Sequence, residues 1–130
     1  MTTVYLVRHG ETIDNARRIM QGQTQGQLNE NGIQQAKELG QRLADVQFDA
    51  YGSSDLQRSI ETCRLVVGSE KQVPIVTTKL LRERDWGSFT GMFIPELANL
   101  NDPSKWPDGI ETLEELKQRA AKFLEWIKRE

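Results

Sequence analysis

Short apolar segments alternate along this 130-residue chain with longer segments of helical periodicity. Thr3–Val7 is apolar and β-branched, as in a strand covered on both faces, and similar short segments follow at 48–52 and 73–77. Strands that alternate with helices pair in parallel, and the helices pack on the faces of the sheet. The sequence therefore predicts a single α/β domain over residues 1–130, with a mostly parallel sheet and helices on both faces.

Capping residues set the expected ends of the first two long helices. Asn29 is a suitable N-cap for a helix over 30–44, whose apolar positions recur at helical spacing. A second helix begins after a cap at Ser54 or Asp55 and is closed by Gly68, which can adopt the backbone conformation that ends helices. We expect each of these helices to follow a short segment that leaves the sheet at one edge.

The last helix opens with Thr112 and Glu115, which have the spacing of a capping box. We expect residues 13–28 and 92–109 to be loops, because they are polar and carry no regular apolar period. The apolar side of the last helix comprises Leu113, Leu116, Ala120, Phe123 and Ile127.

The composition of the chain bears on which partners and cofactors we expect it to bind. A net charge of −2 gives no reason to expect nucleic acid or an anionic membrane as partner, and no long apolar segment or basic leader is visible. One cysteine cannot form an internal disulfide, which fits a reducing cytoplasm. No metal-binding motif is present, so we expect no metal and no cofactor.

The only histidine of the chain, His9, follows Arg8 at the end of the first apolar segment and precedes a glycine turn at Gly10. Open α/β sheets bind ligands at the carboxyl ends of their strands. A neutral imidazole there can attack phosphorus, while the neighbouring guanidinium binds the phosphoryl oxygens. The alternative is that His9 is a structural histidine and Arg8 a surface charge.

The whole set of motifs resembles the histidine phosphatase superfamily, also called the phosphoglycerate mutase-like family, whose fold is a three-layer α/β/α sandwich. The similar segments are Arg8–Thr12 with Asn15, Leu28–Ala36, Ser53–Thr62, Leu81–Gly91, and Gly109–Leu113 with Thr112 at the family's serine position.

This resemblance implies a role for each matched residue. His9 would be the nucleophile, and Arg8, Arg58 and Asn15 would bind the phosphoryl oxygens. Glu83 would be the general acid, because a departing alkoxide needs a proton and a carboxyl group beside phosphate can keep one. We expect the start of the helix that carries Arg58 to add free backbone N–H groups to the same site.

Other readings of these residues remain open at this point. Glu11 and Gly22 are further candidates for substrate binding, and Glu11 and Asp85 compete with Glu83 as the acid. Arg58 could instead be a solvated helix residue paired with Glu61 or Asp55.

One departure from the family pattern limits the expected activity: the family's second catalytic histidine, in a later His-Gly strand, has no counterpart among these 130 residues. We therefore interpret the chain as the amino-terminal part of a family domain, with impaired phosphomonoesterase activity on a small phosphorylated substrate. The alternatives are phosphoglycerate mutase-type transfer and a non-catalytic remnant that binds inorganic phosphate. Because the missing strand would lie beside Val4–Val7, we also expect a homodimer or another form of self-association.

Overall fold

The structure is a computed structural model that describes residues 2–68, 71 and 73–129. β1 and β2 pair in parallel, with Tyr51 opposite Ile75 and Ser54 opposite Thr78. The α/β class with a parallel sheet is thereby confirmed. In chain order the helices and strands are α1 (Ile13–Arg17), α2 (Glu30–Arg42), β1 (Tyr51–Ser54), α3 (Gln57–Val67), β2 (Ile75–Thr78) and α4 (Leu113–Arg129).

Helix ends agree well with the expected caps. The Asn29 side chain accepts a hydrogen bond from the Gly32 N–H at 2.8 Å, and Gly68 closes α3 with φ of 97°. The Thr112 and Glu115 side chains bond each other's backbone N–H groups at 3.1 and 3.2 Å, which confirms the capping box of α4.

Three local predictions were wrong. β1 lies later than expected, because it continues through Ser53 and Ser54, whose buried hydroxyls bond nearby backbone groups. The N-cap of α3 is Leu56, which offers no side-chain cap. A short helix, α1, interrupts the expected loop at 13–28, because Thr12 and Asn15 form a capping box that the apolar period does not reveal.

The core lies where α2 packs on α3 and α3 packs on β1. Ala36 of α2 and Leu56 before α3 are almost fully buried there. Gly40 permits the close approach of the two helices, since an added Cβ would lie 2.6 Å from the Val66 carbonyl oxygen. In the described part of the chain, no helix is both long enough and apolar enough to cross a membrane.

The expected first strand, Thr3–Val7, does not form in the structure. No described residue pairs with this segment in a β-ladder, and the exposed fractions of Val4 and Leu6 are 48% and 81%. Its one aromatic contact joins the rings of Tyr5 and Phe48, whose centroids are 5.1 Å apart. In the described part of the chain, β1 pairs with β2 alone, so this segment has no strand beside it.

We expect the chain to self-associate at tens of micromolar, because residues 4–7 expose apolar side chains and unpaired backbone groups together. Light scattering should give an average mass about twice the monomer's or more, and Leu6→Lys should reduce it. The matched control is Leu124→Lys, which changes a leucine of 59% exposure on α4, outside this segment. A monomer of unchanged mass across that concentration range would contradict the prediction.

Candidate active site

Two glycines allow the turn that follows His9 to pack closely against the start of α2. A Cβ on Gly10 would lie 2.5 Å from the Gly32 carbonyl oxygen, and one on Gly32 would lie 2.0 Å from the Glu11 carbonyl oxygen. The Glu11 N–H also donates to the Gln35 side chain at 2.9 Å. The backbone beside His9 therefore rests directly on the first turns of α2, which fixes its position.

His9 is half-buried, and its ring is held by its own turn. Nδ1 lies 2.7 Å from the Gly10 carbonyl oxygen. Because a carbonyl can only accept, Nδ1 carries the proton, and the lone pair of a neutral ring lies on Nε2. Burial is the largest influence and lowers the pKa of His9 from its ordinary 6.5. The hydrogen bond to Gly10 raises the pKa in part, the charges of Arg58 and Arg8 lower it, and the charge of Glu83 raises it least of all. The environment thus favours the neutral, nucleophilic form.

The titration of His9 should show this directly. We expect its apparent pKa to lie below that of an unfolded histidine, near 6.5. At a pH between these two pKa values, the unfolded chain binds more protons than the folded chain. The contribution of His9 to the free energy of unfolding should therefore be complete above about pH 6.5, and it should be lost as the pH falls through the folded pKa. Since His9 is the only histidine, NMR titration of its ring needs no assignment. A pKa at or above 6.5 would refute the expected neutrality.

Arg58 lies in the first turn of α3 and is 1% exposed. Its Nη1 and Nη2 groups donate to the carbonyl oxygens of Thr24 at 2.6 Å and Gly22 at 2.7 Å. Its buried Nε has no hydrogen-bond partner among the described residues. Burial lowers the pKa of Arg58, while the charges of Glu83 and Asp14 raise it. Pairing with Glu61 or Asp55 does not occur.

The backbone at the start of α3 does not supply the free N–H groups that the sequence predicts. The Gln57 N–H donates to the Gln25 side chain at 2.9 Å, and the Arg58 N–H donates to the Gln25 carbonyl at 3.0 Å. A loop residue thus occupies the positive end of the helix. The contribution of α3 to an anion site is therefore limited to the Arg58 side chain.

A cavity of about 380 Å³ opens beside His9. Arg8, which is exposed, and Asn15 and Glu11 line it, whereas Arg58 and Glu83 do not. The residues from the helices that close its inner side are Gln35, Ala36, Leu39 and Thr62. The structure therefore brings Arg8, Asn15 and Glu11 to one opening. Arg58 lies outside the lining, but its charge is close enough to lower the pKa of His9.

The other predicted binding residues have local partners. The Asn15 side-chain oxygen accepts from the Thr12 N–H at 3.1 Å, which leaves its amide group as the donor for a ligand. A Glu11 carboxylate oxygen accepts from the Asn29 amide at 2.7 Å. Gly22 is buried with φ of +52°, and its carbonyl contacts Arg58. Direct contact of Gly22 with a substrate stays a prediction.

Of the three candidate acids, Glu83 is exposed and close enough to His9 and Arg58 for its charge to raise both their pKa values. Its Oε1 accepts from the Arg84 N–H at 2.6 Å. Asp85 instead bonds the Gly87 N–H at 2.9 Å, and Glu11 bonds Asn29. Glu83 is therefore the carboxylate that best fits the acid role, although that role stays a prediction.

The sequence assigns no separate role to Thr62, which links the two halves of the site. Its buried hydroxyl accepts from the Gly10 N–H at 3.1 Å and donates to the Arg58 carbonyl at 2.7 Å. Its spacing of four residues from Arg58 places both on one face of α3, which is the signal that could have found it.

Proteins named as phosphatases are similar in sequence to this chain. The chain is 38% identical over 119 residues to a Bacillus subtilis protein named as the phosphatase PhoE, covering 92% of this chain and 61% of that protein. It is 37% identical over 132 residues to the fructose-2,6-bisphosphatase TIGAR of Xenopus tropicalis, covering 94% and 48%. The chain thus spans about half to three fifths of the length of these relatives.

The fold is also found among solved structures. The α-ribazole phosphatase of Shigella flexneri superposes with a TM-score of 0.81 at 28% identity, over 95% of this chain and 65% of that one. The family model of the histidine phosphatase superfamily, branch 1, matches residues 4–130, and the chain therefore belongs to that superfamily.

Proposed function

We propose that the chain is a phosphomonoesterase that acts through a phosphohistidine intermediate on His9. The observation that carries the proposal is the state of that ring: Nδ1 donates to the Gly10 carbonyl, and burial together with the charges of Arg58 and Arg8 favours the neutral form. A neutral imidazole whose free nitrogen lies among positive charges suits attack on a phosphate dianion.

In the first step, the Nε2 lone pair of His9 forms a bond to phosphorus as the bond from phosphorus to the ester oxygen breaks. The electron pair of the broken bond stays on that oxygen, which takes the proton of Glu83 and leaves as an alcohol. Arg8, Arg58 and the Asn15 amide stabilise the charge on the three remaining phosphoryl oxygens.

In the second step, water attacks phosphorus and gives a proton to the Glu83 carboxylate, while the bond to Nε2 breaks. Inorganic phosphate leaves, and His9 and protonated Glu83 are restored. The net reaction is hydrolysis of a phosphate ester to an alcohol and phosphate, without a metal or cofactor.

The donors of Arg58 support this assignment. A guanidinium carries five N–H donors, and Arg58 uses two of them on the carbonyls of Gly22 and Thr24. The unpartnered Nε is one of the other three. Because a buried donor without an acceptor is costly, a phosphoryl oxygen is a physically reasonable partner for this side chain.

The substrate class follows from the relatives only in general terms. TIGAR is named for a sugar bisphosphate, and the solved relative is named for α-ribazole. We propose a small phosphorylated metabolite as substrate of this chain, and no nucleic acid or membrane as partner.

We expect the purified chain to hydrolyse p-nitrophenyl phosphate slowly. It contains one histidine, and loss of one donor to the transition-state oxygens typically costs ~10²–10³ in rate. Phosphate should become bound to His9 in an acid-labile form and then pass to water. Transfer back to a phosphoglycerate would instead favour the mutase alternative. Phosphate or vanadate binding without any labelling of His9 would overturn the enzymatic proposal in favour of a non-catalytic site.

A further inference from the structure

Arg119 of α4 is bonded to the segment that carries Glu83. Its Nε and Nη2 groups donate to the two carboxylate oxygens of Glu111 at 2.9 and 2.8 Å. Nη1 donates to the Leu80 carbonyl at 3.1 Å and to the Arg82 carbonyl, and Nη2 donates to the Glu83 carbonyl at 3.3 Å. All five N–H donors of this guanidinium are thereby used.

Glu111 bonds the same segment on the carboxyl-terminal side of Glu83. Its Oε1 accepts from the Asp85 N–H at 2.9 Å, and its own N–H donates to the Asp85 carbonyl at 2.8 Å. Its carbonyl accepts from Arg84 Nε at 2.8 Å. The side chains of Arg119 and Glu111 are only 16% and 11% exposed, so water competes weakly for these bonds.

The segment that these two residues hold has no regular structure of its own. Residues 82–86 lie outside every helix and strand, and Glu83 is exposed. Among the described residues, the side chain of Glu83 has one hydrogen bond, to the N–H of its neighbour Arg84. The position of the Glu83 carboxylate relative to His9 is therefore set by where the backbone of this segment is held.

We propose that Arg119 and Glu111 are positioning residues that hold the backbone on both sides of Glu83, so that its carboxyl group reaches the leaving oxygen. This inference rests on the proposed function, in which Glu83 is the acid. It assigns to α4 a role in the chemical step. Arginine is required because lysine has three donors and no planar fork, and cannot serve five acceptors.

The test uses two esters that differ in their need for an acid. p-Nitrophenol leaves readily without a proton, whereas phenol is a poorer leaving group and depends more on protonation. With the chain in excess over substrate, release of either alcohol reports phosphoryl transfer, whatever the later steps. The variants are Arg119→Lys and the nearly isosteric Glu111→Gln, with Glu83→Gln as reference and exposed Lys122→Met on α4 as control.

We expect Arg119→Lys and Glu111→Gln to slow release of phenol about tenfold more than release of p-nitrophenol, since small misplacement of a reacting group can cost up to ~10²-fold. The chain concentration that gives half the maximal rate should change little, and Lys122→Met should match the unmodified chain. In a Glu83→Gln background, Arg119→Lys should add no further selective loss. Thermal unfolding of each variant shows whether it is folded at the temperature of the assay.

Equal losses on both esters, no loss, or losses that multiply with those of Glu83→Gln would overturn the inference and leave Glu83 as the acid. If Glu83→Gln itself shows no preference between the esters, the acid assignment fails, and the inference fails with it. If the unmodified chain releases neither alcohol above background, the proposed function is wrong as a whole.

Discussion

Replacing His9 with alanine should reduce phosphoryl transfer from p-nitrophenyl phosphate to background, a loss of at least about 10³-fold, because the nucleophile is removed. The ring is one wall of the cavity of about 380 Å³, so its removal enlarges an existing opening. Added imidazole should therefore restore part of the transfer in this variant, with the phosphoryl group captured on imidazole. The assay follows p-nitrophenol release and the labelled products.

The matched control is Cys63→Ser, which removes the one thiol of the chain. Cys63 is half-buried, and burial raises the pKa of its thiol, so it stays protonated and unreactive. This variant should retain the transfer rate and the label on His9. Retained transfer in His9→Ala, or its loss in Cys63→Ser, would show that the nucleophile is misassigned.

Replacing Arg58 with alanine should weaken both the fold and anion binding. The carbonyls of Gly22 and Thr24 would lose their buried donors, and charged hydrogen bonds of this kind are worth ~1.5–3 kcal/mol each. We expect a loss of about 2–4 kcal/mol in the free energy of unfolding, allowing for partial entry of water. Denaturant unfolding measures this loss, and inhibition by vanadate measures the loss of anion affinity.

The control for Arg58 is Arg84→Ala. Arg84 stacks on Trp86 and Trp106, with its guanidinium carbon 4.9 and 5.1 Å from the two ring centroids, and it faces no predicted phosphate contact. Vanadate inhibition should weaken much more in Arg58→Ala than in Arg84→Ala. Arg58→Lys separates the two effects, since it keeps the charge but cannot bond both carbonyls. Equal vanadate affinities in the two alanine variants would remove Arg58 from the anion site.

The parts of the fold that the sequence predicts are those determined locally. The caps at Asn29, Gly68 and Thr112 depend on neighbouring backbone, and the structure has all three. The first strand is different, because its apolar composition shows only that Thr3–Val7 suits a sheet. Whether it pairs depends on a neighbouring strand, which the described residues do not provide.

The candidate site shows the same division. The motif around His9 identifies residues that are close to it in the sequence. It does not show that Arg58 binds two loop carbonyls or that Gln25 occupies the start of α3. These bonds join residues more than thirty positions apart, so no local pattern encodes them. The same holds for Arg119, whose partners lie in the segment around Glu83.

The loop that contacts Arg58 does so through main-chain oxygens. The carbonyls of Gly22, Thr24 and Gln25 accept the bonds from its guanidinium and backbone N–H. A carbonyl is present whatever the side chain, so most substitutions at Thr24 leave these bonds available. The side chains of this loop can therefore change while the bonds that hold Arg58, the proposed phosphate ligand, stay in place.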